Sequence, residues 1–497
     1  MKNIISKQIN FIKKHDNIFA IILFFLSIFG ITINVFITNS DELWNFQNIY
    51  KMYNGFQIYK DANVIVTPLF FWIGEFLFKI LGANFFIFRV YNIMIMLSLY
   101  FVTYLLLKKI GINKKISIII VLILITFKKY YLLLGQANYN TMALLLCLIG
   151  TYIYIDKYKY NALIQGIILF LIFMTKQNIG IFYGIGLVIC ELLNNKNLKE
   201  KKNNLTIEIL IFLVLLIVFC IYLYINNNLY NFINYTALGI REFSNENRSL
   251  EITNLILAIF LVCANISLIV IFIRNEKINI TKSEKEQMIQ LSCFSIPLSL
   301  IMFPILNGMH FFIGIYLSII LFIYLMKIMI DRINIKVSDK IVNIILVIFC
   351  FLTCTYSINS FISWAIMIKS EEYHFDIKNP FYGGIFKEDT INNIENVVEH
   401  IENTDNNVIV LSSKAAFYMI PTGRSNGMMD LPFKGNLGQG GENGLIEKIK
   451  NTKNAEFLIE KDEENIEWQE SKSVRKYIID NMEKIGEIEE FEIYSNF

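Results

Sequence analysis

Two adjacent carboxylates, Asp41 and Glu42, stand directly after the first long apolar stretch of the sequence. A carboxylate within hydrogen-bond reach of a hydroxyl group accepts its proton as that oxygen attacks, so this pair is a candidate for general acid–base chemistry. At the first turn of a helix, however, Asp41 or Ser40 has an ordinary role as a cap that accepts hydrogen bonds from free backbone N–H groups. Spacing alone leaves both roles open, and caps are the commoner of the two.

The composition places these carboxylates in a membrane protein. Of the 497 residues, 55% are hydrophobic, 14% are aromatic and only 18% are charged, which departs strongly from the composition of soluble proteins. The net charge of +3 is spread over short loops, which argues against a nucleic-acid partner. The seven cysteines lie in apolar runs without the spacing of metal ligands, so neither a zinc site nor a disulfide framework is indicated.

The apolar stretches predict about eleven membrane spans, some of them short. They cover residues 17–38, 85–107, 116–134, 140–156, 161–175, 179–194, 205–226, 252–273, 288–306, 310–330 and 341–363. The first stretch lacks a small-residue cleavage site and is expected to be a retained helix. A further apolar segment, 66–82, is expected to lie in the interface or to re-enter it, because only then does the basic loop KKIGINKK (108–115) fall inside.

This topology puts every basic loop and the N-terminus on the inner side of the membrane. The opposite side receives DELWNF, GQANYN, the loop 226–251 and everything after about residue 370. We therefore expect a multi-pass protein of the cytoplasmic membrane with its C-terminal segment outside. The bias toward Ile, Asn and Lys is typical of an AT-rich bacterial genome.

The stretch 43–53 has the pattern of an amphipathic helix. Its apolar side chains recur at three- and four-residue intervals, and the opposite side is polar: Glu42, Asn45, Asn48 and Lys51. A helix of this kind lies in the headgroup plane of a bilayer. The pattern therefore predicts that Asp41 sits where lipid headgroups and water meet.

The order of motifs after the first span resembles the opening of GT-C membrane glycosyltransferases of the protein mannosyltransferase and aminoarabinose transferase type (glycosyltransferase family 39-like). Those proteins carry an acidic pair, a G-x-x-x-Y-x-D element, a Pro-Leu-aromatic segment that ends in Phe-Gly or Leu-Gly, and an arginine that opens the next span. The matching residues here are Asp41 and Glu42, then Gly55, Tyr59 and Asp61, then Pro68 and Leu69, then Leu81 and Gly82, then Arg89. The resemblance is best over roughly the first 200 residues and fades in the tail.

The resemblance implies a polytopic α-helical GT-C fold that transfers a hexosyl or pentosyl group from a polyprenyl-phosphate donor to a lipid, glycan or protein acceptor on the outer face. Asp41 is then the candidate general base, because a sugar hydroxyl is a poor nucleophile until its proton is removed. Glu42 either orients water or Asp41, or is a plain surface residue. A single displacement of this kind inverts the anomeric configuration.

The leaving lipid phosphate is anionic, so cationic side chains or a divalent metal should meet it on the same side. Lys176 and Lys129 are the first candidates, followed by Lys128 and Arg89. Lysines near a span end also snorkel to headgroups, and an arginine there is usually an interfacial anchor. No metal ligands are assigned, and a divalent metal stays an alternative. The resemblance also implies substrate contacts for two residues of the outer loop, Tyr59 and Asp61.

Two further outer segments carry candidate substrate contacts. Where many relatives have a second acid, this chain has GQANYN with Asn138 and Asn140, which hydrogen-bond but cannot act as a base. This departure favours Asp41 acting alone, and capping by Asn140 is the ordinary alternative. His310, in FPILNGMHFF, is a candidate for contacting sugar or phosphate, although a lone histidine at a span end is more often an interfacial residue.

The tail changes character near residue 370, which divides the chain into a multi-span domain (1–370, with an outer catalytic loop at 39–84) and an extracytoplasmic domain (371–497). Charged helical stretches near 388–403, 443–451 and 472–484 alternate with short apolar runs, the pattern of a small α/β domain just large enough for its own core. The loop GNLGQGGENG (435–444) matches neither nucleotide fingerprint and is interpreted as a turn-rich loop, placed by this topology on the side of the outer cavity.

Two other classes of function remain open. A transporter of lipid-linked saccharides would keep polar groups near the bilayer midplane, where this sequence is nearly bare of charge. A non-catalytic sensor or assembly protein would tolerate Asp41→Asn. An outward polyprenyl-linked oligosaccharide ligase or polymerase is the nearest enzymatic alternative.

Overall fold

The computed structural model describes residues 40–126, 138–158, 160–194, 197–240, 249–274, 280–333, 339–369, 373–375, 380–381, 384–429, 434–461 and 470–496. Within these segments the chain forms packed helices followed by a small sheet with its own helices. The predicted first span, 17–38, and the end of the stretch 116–134 lie outside the described residues.

The first part of the chain is helical. Its helices are α1 (Ser40–Tyr53), α2 (Leu69–Leu81), α3 (Phe85–Lys109), α4 (Lys114–Thr126), α5 (Tyr139–Asp156), α6 (Asn161–Thr175), α7 (Gln177–Leu193), α8 (Leu198–Ile225), α9 (Leu229–Ile233), α10 (Ile252–Arg274), α11 (Lys282–Ser299), α12 (Gly308–Ile333) and α13 (Asp339–Lys369). A π-helical turn, Asn234–Leu238, continues α9. A short parallel pair joins β1 (Ser249–Leu250) to β2 (Ile305–Leu306).

Five of the described helices, α3, α5, α8, α10 and α12, are long and apolar enough to cross a membrane. The apolar helices α6 and α7 are shorter, and the 31-residue α13 covers the predicted span 341–363. The chain is therefore a protein with several membrane helices, and the total of about eleven spans stays a prediction. Helix α2 has 13 residues, about 20 Å, which is too short to cross the hydrocarbon core.

Side-chain caps set where several of these helices begin. The Asn84 side chain accepts from the Ile87 N–H at the start of α3, and Asn138 Oδ1 accepts from the N–H groups of Asn140 and Thr141 at the start of α5. The cap predicted for Asn140 therefore belongs to Asn138. Because Asn138 satisfies the free N–H groups of α5, the Asn140 side chain is left for other contacts.

Helix α1 forms where the sequence predicted an amphipathic helix, but its polar side does not face headgroups or water. Glu42, Asn45, Asn48 and Lys51 are all buried, because α1 packs against α2 on one side and against the C-terminal domain on the other. The approach to α2 is close, since a Cβ at Gly74 would lie 2.4 Å from Ile49 Cδ1. The prediction of a helix lying exposed in the headgroup plane is therefore wrong, and the missing information was this second packing partner.

The tail forms an α/β unit, as the sequence predicted, and its described residues include six strands. A β3–β4 hairpin (Tyr373–Phe375 and Ile385–Lys387) precedes a four-stranded sheet. Its strands are β5 (Asn407–Leu411), β6 (Ala455–Glu460), β7 (Glu483–Ile488) and β8 (Phe491–Ser495), in the order β5-β6-β8-β7, with β5 and β6 parallel and the other pairs antiparallel. Its helices are α14 (Glu388–Asn403), α15 (Ala415–Thr422), α16 (Gly441–Asn451) and α17 (Lys472–Asn481).

The tail shares part of its core with the helical part of the chain. Phe381 stands between the two, with its ring centroid 6.1 Å from that of Phe46 on α1 and 5.9 Å from that of Phe417 on α15. Only the other face of the sheet has a separate apolar core, which includes Ile409 and Phe457. The two predicted domains are therefore packed as one continuous body along α1 and α15.

The glycine-rich loop 435–444 docks on the π-helical turn of the outer loop. Asn234 Oδ1 accepts from the Gln439 N–H at 3.0 Å, and Lys448 Nζ donates to Tyr235 Oη at 3.1 Å. A Cβ on Gly239 would lie 2.8 Å from Gly438 Cα, so both backbones need glycine to approach this closely. The loop is thus a packing element between the C-terminal domain and the segment that follows α8.

Candidate functional site

Lys176 lies in a one-residue break between α6 and α7. Its backbone is extended (φ −155°, ψ 113°), although its N–H still reaches the Ile172 carbonyl at 2.8 Å, so the two apolar helices meet at an angle around it. The ammonium group donates to Asn140 Oδ1 and lies 3.5 Å from His310 Nε2. It also stands over the Tyr139 ring, 5.5 Å from the centroid. Three separate parts of the chain therefore meet at one lysine.

The two amides and the histidine are held in place by their own helix starts. Met309 Sδ accepts from Asn138 Nδ2 at 3.6 Å and from Asn140 Nδ2 at 3.3 Å, which fixes the start of α5 against the start of α12. Asn307 Oδ1 caps α12 by accepting from the His310 N–H at 3.0 Å and also faces His310 Nδ1 at 2.9 Å. Because that oxygen is an acceptor, the proton of the neutral ring belongs on Nδ1. His310 Nε2 is then the acceptor that faces Lys176.

Asp41 lies in the first turn of α1, where its side chain stays accessible while protein surrounds it densely. Burial raises the pKa of Asp41, and the Lys176 ammonium opposes this shift. Burial in turn lowers the pKa of Lys176 to about 8, and Asp41 opposes that shift. Each side chain therefore favours the charged form of the other, against the effect of burial.

Glu42 and Arg89 pair with each other, away from Lys176. Arg89 Nε lies 3.5 Å from Glu42 Oε1, and the guanidinium group stands 4.6 Å from the Phe85 ring centroid. Both residues are buried, at 4% and 7% exposure. Two charges taken out of water in this way are held by their mutual attraction. The predicted roles of Glu42 beside the base and of Arg89 at the phosphate are therefore corrected to a structural ion pair that anchors α1 on α3.

Tyr59 and Asp61 shape a turn of the outer loop. Tyr59 has a left-handed backbone (φ 68°) and is 1% exposed, and its hydroxyl donates to the Val66 carbonyl at 2.6 Å. Asp61 Oδ2 accepts from the Gln57 N–H at 2.7 Å, which closes the turn. In this structure both residues make hydrogen bonds that hold the loop between α1 and α2, and the substrate contacts predicted for them stay predictions.

Two of the predicted phosphate partners, Lys128 and Lys129, lie outside the described residues. Their roles stay predictions. Within the described residues, the predicted set Asp41, Lys176, Asn138, Asn140 and His310 meets around one position.

Gln177 is a part of this region that the sequence did not single out. Its Nε2 donates to the Ile65 carbonyl at 2.9 Å and to the Thr236 carbonyl at 3.1 Å. One side chain therefore ties the Lys176 break to the loop before α2 and to the π-helical turn. The sequence signal was its place directly after Lys176 at a helix start, but nothing local showed that two distant carbonyl groups meet there.

The chemistry of the donors around Asp41 is that of an ammonium group, two amides and an imidazole. Among the residues that the structure describes, no group of three or more His, Cys, Asp or Glu side chains is placed to hold a metal ion. The positive charge that faces Asp41 in this part of the chain is Lys176. Such a set can take up a proton at the carboxylate and attract an anion at the ammonium group.

No family model matches the sequence, and no curated protein matches it. The fold resembles solved structures of the Archaeoglobus fulgidus oligosaccharyltransferase. One, tethered with an acceptor peptide containing the NVT sequon, has a TM-score of 0.51 and 11% identity over 91% of this chain and 70% of its own.

Two more structures of that protein agree. A complex with Zn and sulfate has a TM-score of 0.51 and 11% identity over 89% of this chain and 68% of its own. A structure of the same oligosaccharyltransferase, AglB, with an inhibitory peptide and a dolichol-phosphate has a TM-score of 0.51 and 10% identity over 90% and 70%. At identities this low the likeness shows a shared fold alone, and this shared fold agrees with the one that the sequence resemblance implies.

Proposed function

We propose that this GT-C protein is a membrane glycosyltransferase that moves a sugar from a polyprenyl-phosphate donor to an acceptor at the outer face of the membrane. The observation that carries the proposal is the meeting of Asp41 with Lys176, beside Asn140 and His310. Displacement of a lipid phosphate by a hydroxyl group needs a proton acceptor for the hydroxyl and a cation for the leaving phosphate. Asp41 and Lys176 are groups of these two kinds, and they interact with each other. The shared fold supports the reaction class as an analogy and identifies neither donor nor acceptor.

Asp41 is the proposed general base. An acceptor hydroxyl attacks the anomeric carbon, a new carbon–oxygen bond forms there, and its proton passes to the Asp41 carboxylate. The bond from the anomeric carbon to the phosphate oxygen breaks with its electron pair, and polyprenyl phosphate leaves. Burial raises the pKa of Asp41, so its carboxylate is a stronger base than that of a solvated aspartate, and the Lys176 ammonium group favours the ionised form.

Lys176 is the proposed partner of the leaving phosphate. Charge develops on the bridging oxygen as its bond to the sugar breaks, and a cation already held in place stabilises that charge without reorganising. Asn140 holds the ammonium group, and Tyr139 lies beneath it. His310 Nε2 faces the same group at 3.5 Å, so the ring is placed to share a substrate proton or a phosphate contact with Lys176.

A second candidate is an oligosaccharide ligase that uses a longer lipid-linked glycan. The solved structures with the same fold belong to an oligosaccharyltransferase, one of them with a dolichol-phosphate. The same groups of this chain would then serve a larger donor. The basic loops, which the positive-inside rule predicts on the inner side, support an outward-facing site in either case.

The test is release of free polyprenyl phosphate from a panel of polyprenyl-phosphate sugars by the purified full-length chain in detergent with added acceptor candidates. The panel is run with divalent metal and with a chelator. We expect release by the wild type and a loss of at least about a hundredfold for Asp41→Asn, the usual worth of a general base.

Asp480→Asn is the matched control, because Asp480 is exposed on α17 of the C-terminal domain. Equal release by Asp41→Asn and Asp480→Asn would reduce Asp41 to a helix cap and contradict the proposal. Release only from lipid-linked oligosaccharides would establish the second candidate. Transfer of intact lipid-linked sugar across vesicles without release would assign the chain to transport.

A further inference from the structure

A cavity of about 760 Å³ opens at the far end of the helices that carry the candidate site. Its walls come from the last turn of α5, the first turns of α6, α8 and α11, and Asn194 after α7. Asn140 and Lys176 lie at the other ends of α5 and α6. Because α5 has 18 residues, the two places are about 27 Å apart. The cavity is therefore distinct from the candidate site and, by the predicted topology, faces the cytosol.

One wall of the cavity is rigidly built. Glu191, 1% exposed, lies directly behind it and accepts from Tyr154 Oη at 2.8 Å, from Asn194 Nδ2 at 2.8 Å and from Asn204 Nδ2 at 3.2 Å. These three donors line the cavity and come from three different parts of the chain. Because a buried carboxylate holds them in fixed positions, the space between the helices is a formed feature of the structure.

The opposite wall presents a ladder of polar groups on one face of α11. Lys282, Glu286 and Gln290 follow at four-residue intervals, so they stack on one side of the helix. Glu286 also pairs with Lys157 at 2.7 Å. Gln290 is 3% exposed, and its Oε1 is buried without a hydrogen-bond partner among the described residues. A buried acceptor of this kind requires a donor, and a ligand in the cavity can supply one.

The remaining wall is apolar and faces the bilayer. Leu163 on α6 and Ile207 on α8 line the cavity, and their outer surfaces are 42% and 40% exposed. On both helices the polar residues Asn161 and Glu200 precede these apolar ones, so the cavity sits where each helix passes from water into the membrane. Tyr158 and Tyr160, exposed at its rim, are typical interfacial anchors. The space is therefore amphipathic.

We propose that this cavity binds a phospholipid with a phosphoethanolamine headgroup. Lys282 meets the phosphate, and the primary ammonium group donates to Gln290 Oε1 and to the Glu286 carboxylate, while the acyl chains run along Leu163 and Ile207. The wall balances two lysines, Lys157 and Lys282, with two glutamates, Glu200 and Glu286, so it complements a zwitterion and not a net anion. The bound lipid bridges α6, α8 and α11 at their inner ends.

The test is lipid retention by the full-length chain purified from nanodiscs that contain equal parts of phosphatidylethanolamine, phosphatidylcholine and phosphatidylglycerol. Bound lipid is counted by native mass spectrometry and by extraction. We expect about one retained phosphatidylethanolamine per chain and about tenfold less phosphatidylcholine, because a quaternary ammonium has no N–H to donate to Gln290.

Gln290→Leu should remove the preference for phosphatidylethanolamine, and Lys282→Met should weaken retention of all three lipids. Gln287→Leu is the matched control, because Gln287 lies on the same helix and accepts from Tyr324 Oη, outside the cavity. Equal retention of the ethanolamine and choline lipids by the wild type, or a preference for phosphatidylglycerol, would overturn the proposal. An unchanged preference in Gln290→Leu would overturn it as well, and Lys282, which is exposed, provides a variant that tests the site without risk to the core.

Discussion

Two carboxylates, one near each end of α5 and α6, lie in different surroundings. At the end predicted to face inward, called the inner end, Glu191 is buried and accepts hydrogen bonds from Tyr154, Asn194 and Asn204. At the end predicted to face outward, called the outer end, Asp41 has an accessible surface and interacts electrostatically with Lys176. Glu191 therefore holds the fold together through its hydrogen bonds, whereas Asp41 has a surface that a substrate can reach.

The adjacent carboxylates Asp41 and Glu42 show the same difference. Glu42 is buried against Arg89 and fixes α1 in place, whereas Asp41, one residue earlier, has an accessible side chain. Successive residues on a helix point about 100° apart, so adjacent carboxylates enter different surroundings. A pair of acids in a sequence therefore does not have to be a pair in the site.

Removal of the outer cation is expected to have the largest effect in the comparison. Lys176→Met deletes the charge that faces Asp41 and should lower turnover about 10²–10³-fold, the usual loss when one stabilising donor is removed. The measurement is release of polyprenyl phosphate at saturating donor. Lys79→Met is the control, because Lys79 is exposed and pairs with Glu75 one turn earlier on α2. Equal rates for the two variants would show that Lys176 is a structural residue.

Removal of the inner carboxylate should affect stability and leave chemistry intact. Glu191→Ala strands three donors in the interior and is expected to lower the free energy of unfolding by about 2–3 kcal/mol. Thermal unfolding in detergent measures this loss, and turnover per folded molecule should match the wild type. Glu402→Ala, at an exposed position on α14, controls for the loss of a glutamate. If Glu191→Ala lowers turnover without lowering the free energy of unfolding, Glu191 does not have a purely structural role.

The smallest effect expected is the pH dependence of the outer pair. Burial lowers the pKa of Lys176 to about 8, so its ammonium form is present below that pH and is lost as the pH rises through it. Turnover should halve near pH 8 and fall about tenfold by pH 9. An acid limb should begin above the ordinary range of an aspartate, since the pKa of Asp41 is raised.

Lys176→Arg sharpens the pH experiment, because arginine stays charged throughout this range. The alkaline limb should disappear in this variant even where its absolute rate is lower. If the turnover of Lys176→Arg falls at the same alkaline pH as that of the wild type, a group other than Lys176 causes the fall.

Most members of the candidate site were predicted from the sequence, although their contacts were not. Lys176 and His310 are 134 positions apart, and Asn140 is 36 positions from Lys176. Each was recognisable because a polar side chain at the end of an apolar helix is unusual and expensive. Their meeting depends on how the helix ends pack together, which no local pattern contains.

The interpretations that failed concern residues with two packing partners. The polar side of α1 was expected to face the membrane surface, and it is buried because α15 of the C-terminal domain covers it. Tyr59 matched a motif position, and its hydroxyl holds the turn through Val66. Periodicity indicates one face of a helix and a motif indicates residue types, so neither reveals which group a side chain will contact. That partner is a distant helix, α15, for α1 and the nearby Val66 carbonyl for Tyr59.

The membrane character, the helix near 43–53, the break at Lys176 and the small α/β tail could be predicted from the sequence alone. Hydrophobic length, helical period and turn residues are local properties. The tertiary structure alone decided that Arg89 binds Glu42, that Lys176 faces Asp41, and that α15 closes over α1. Those outcomes depend on which charged side chains share a low-dielectric space, and that is fixed only when distant helices pack together.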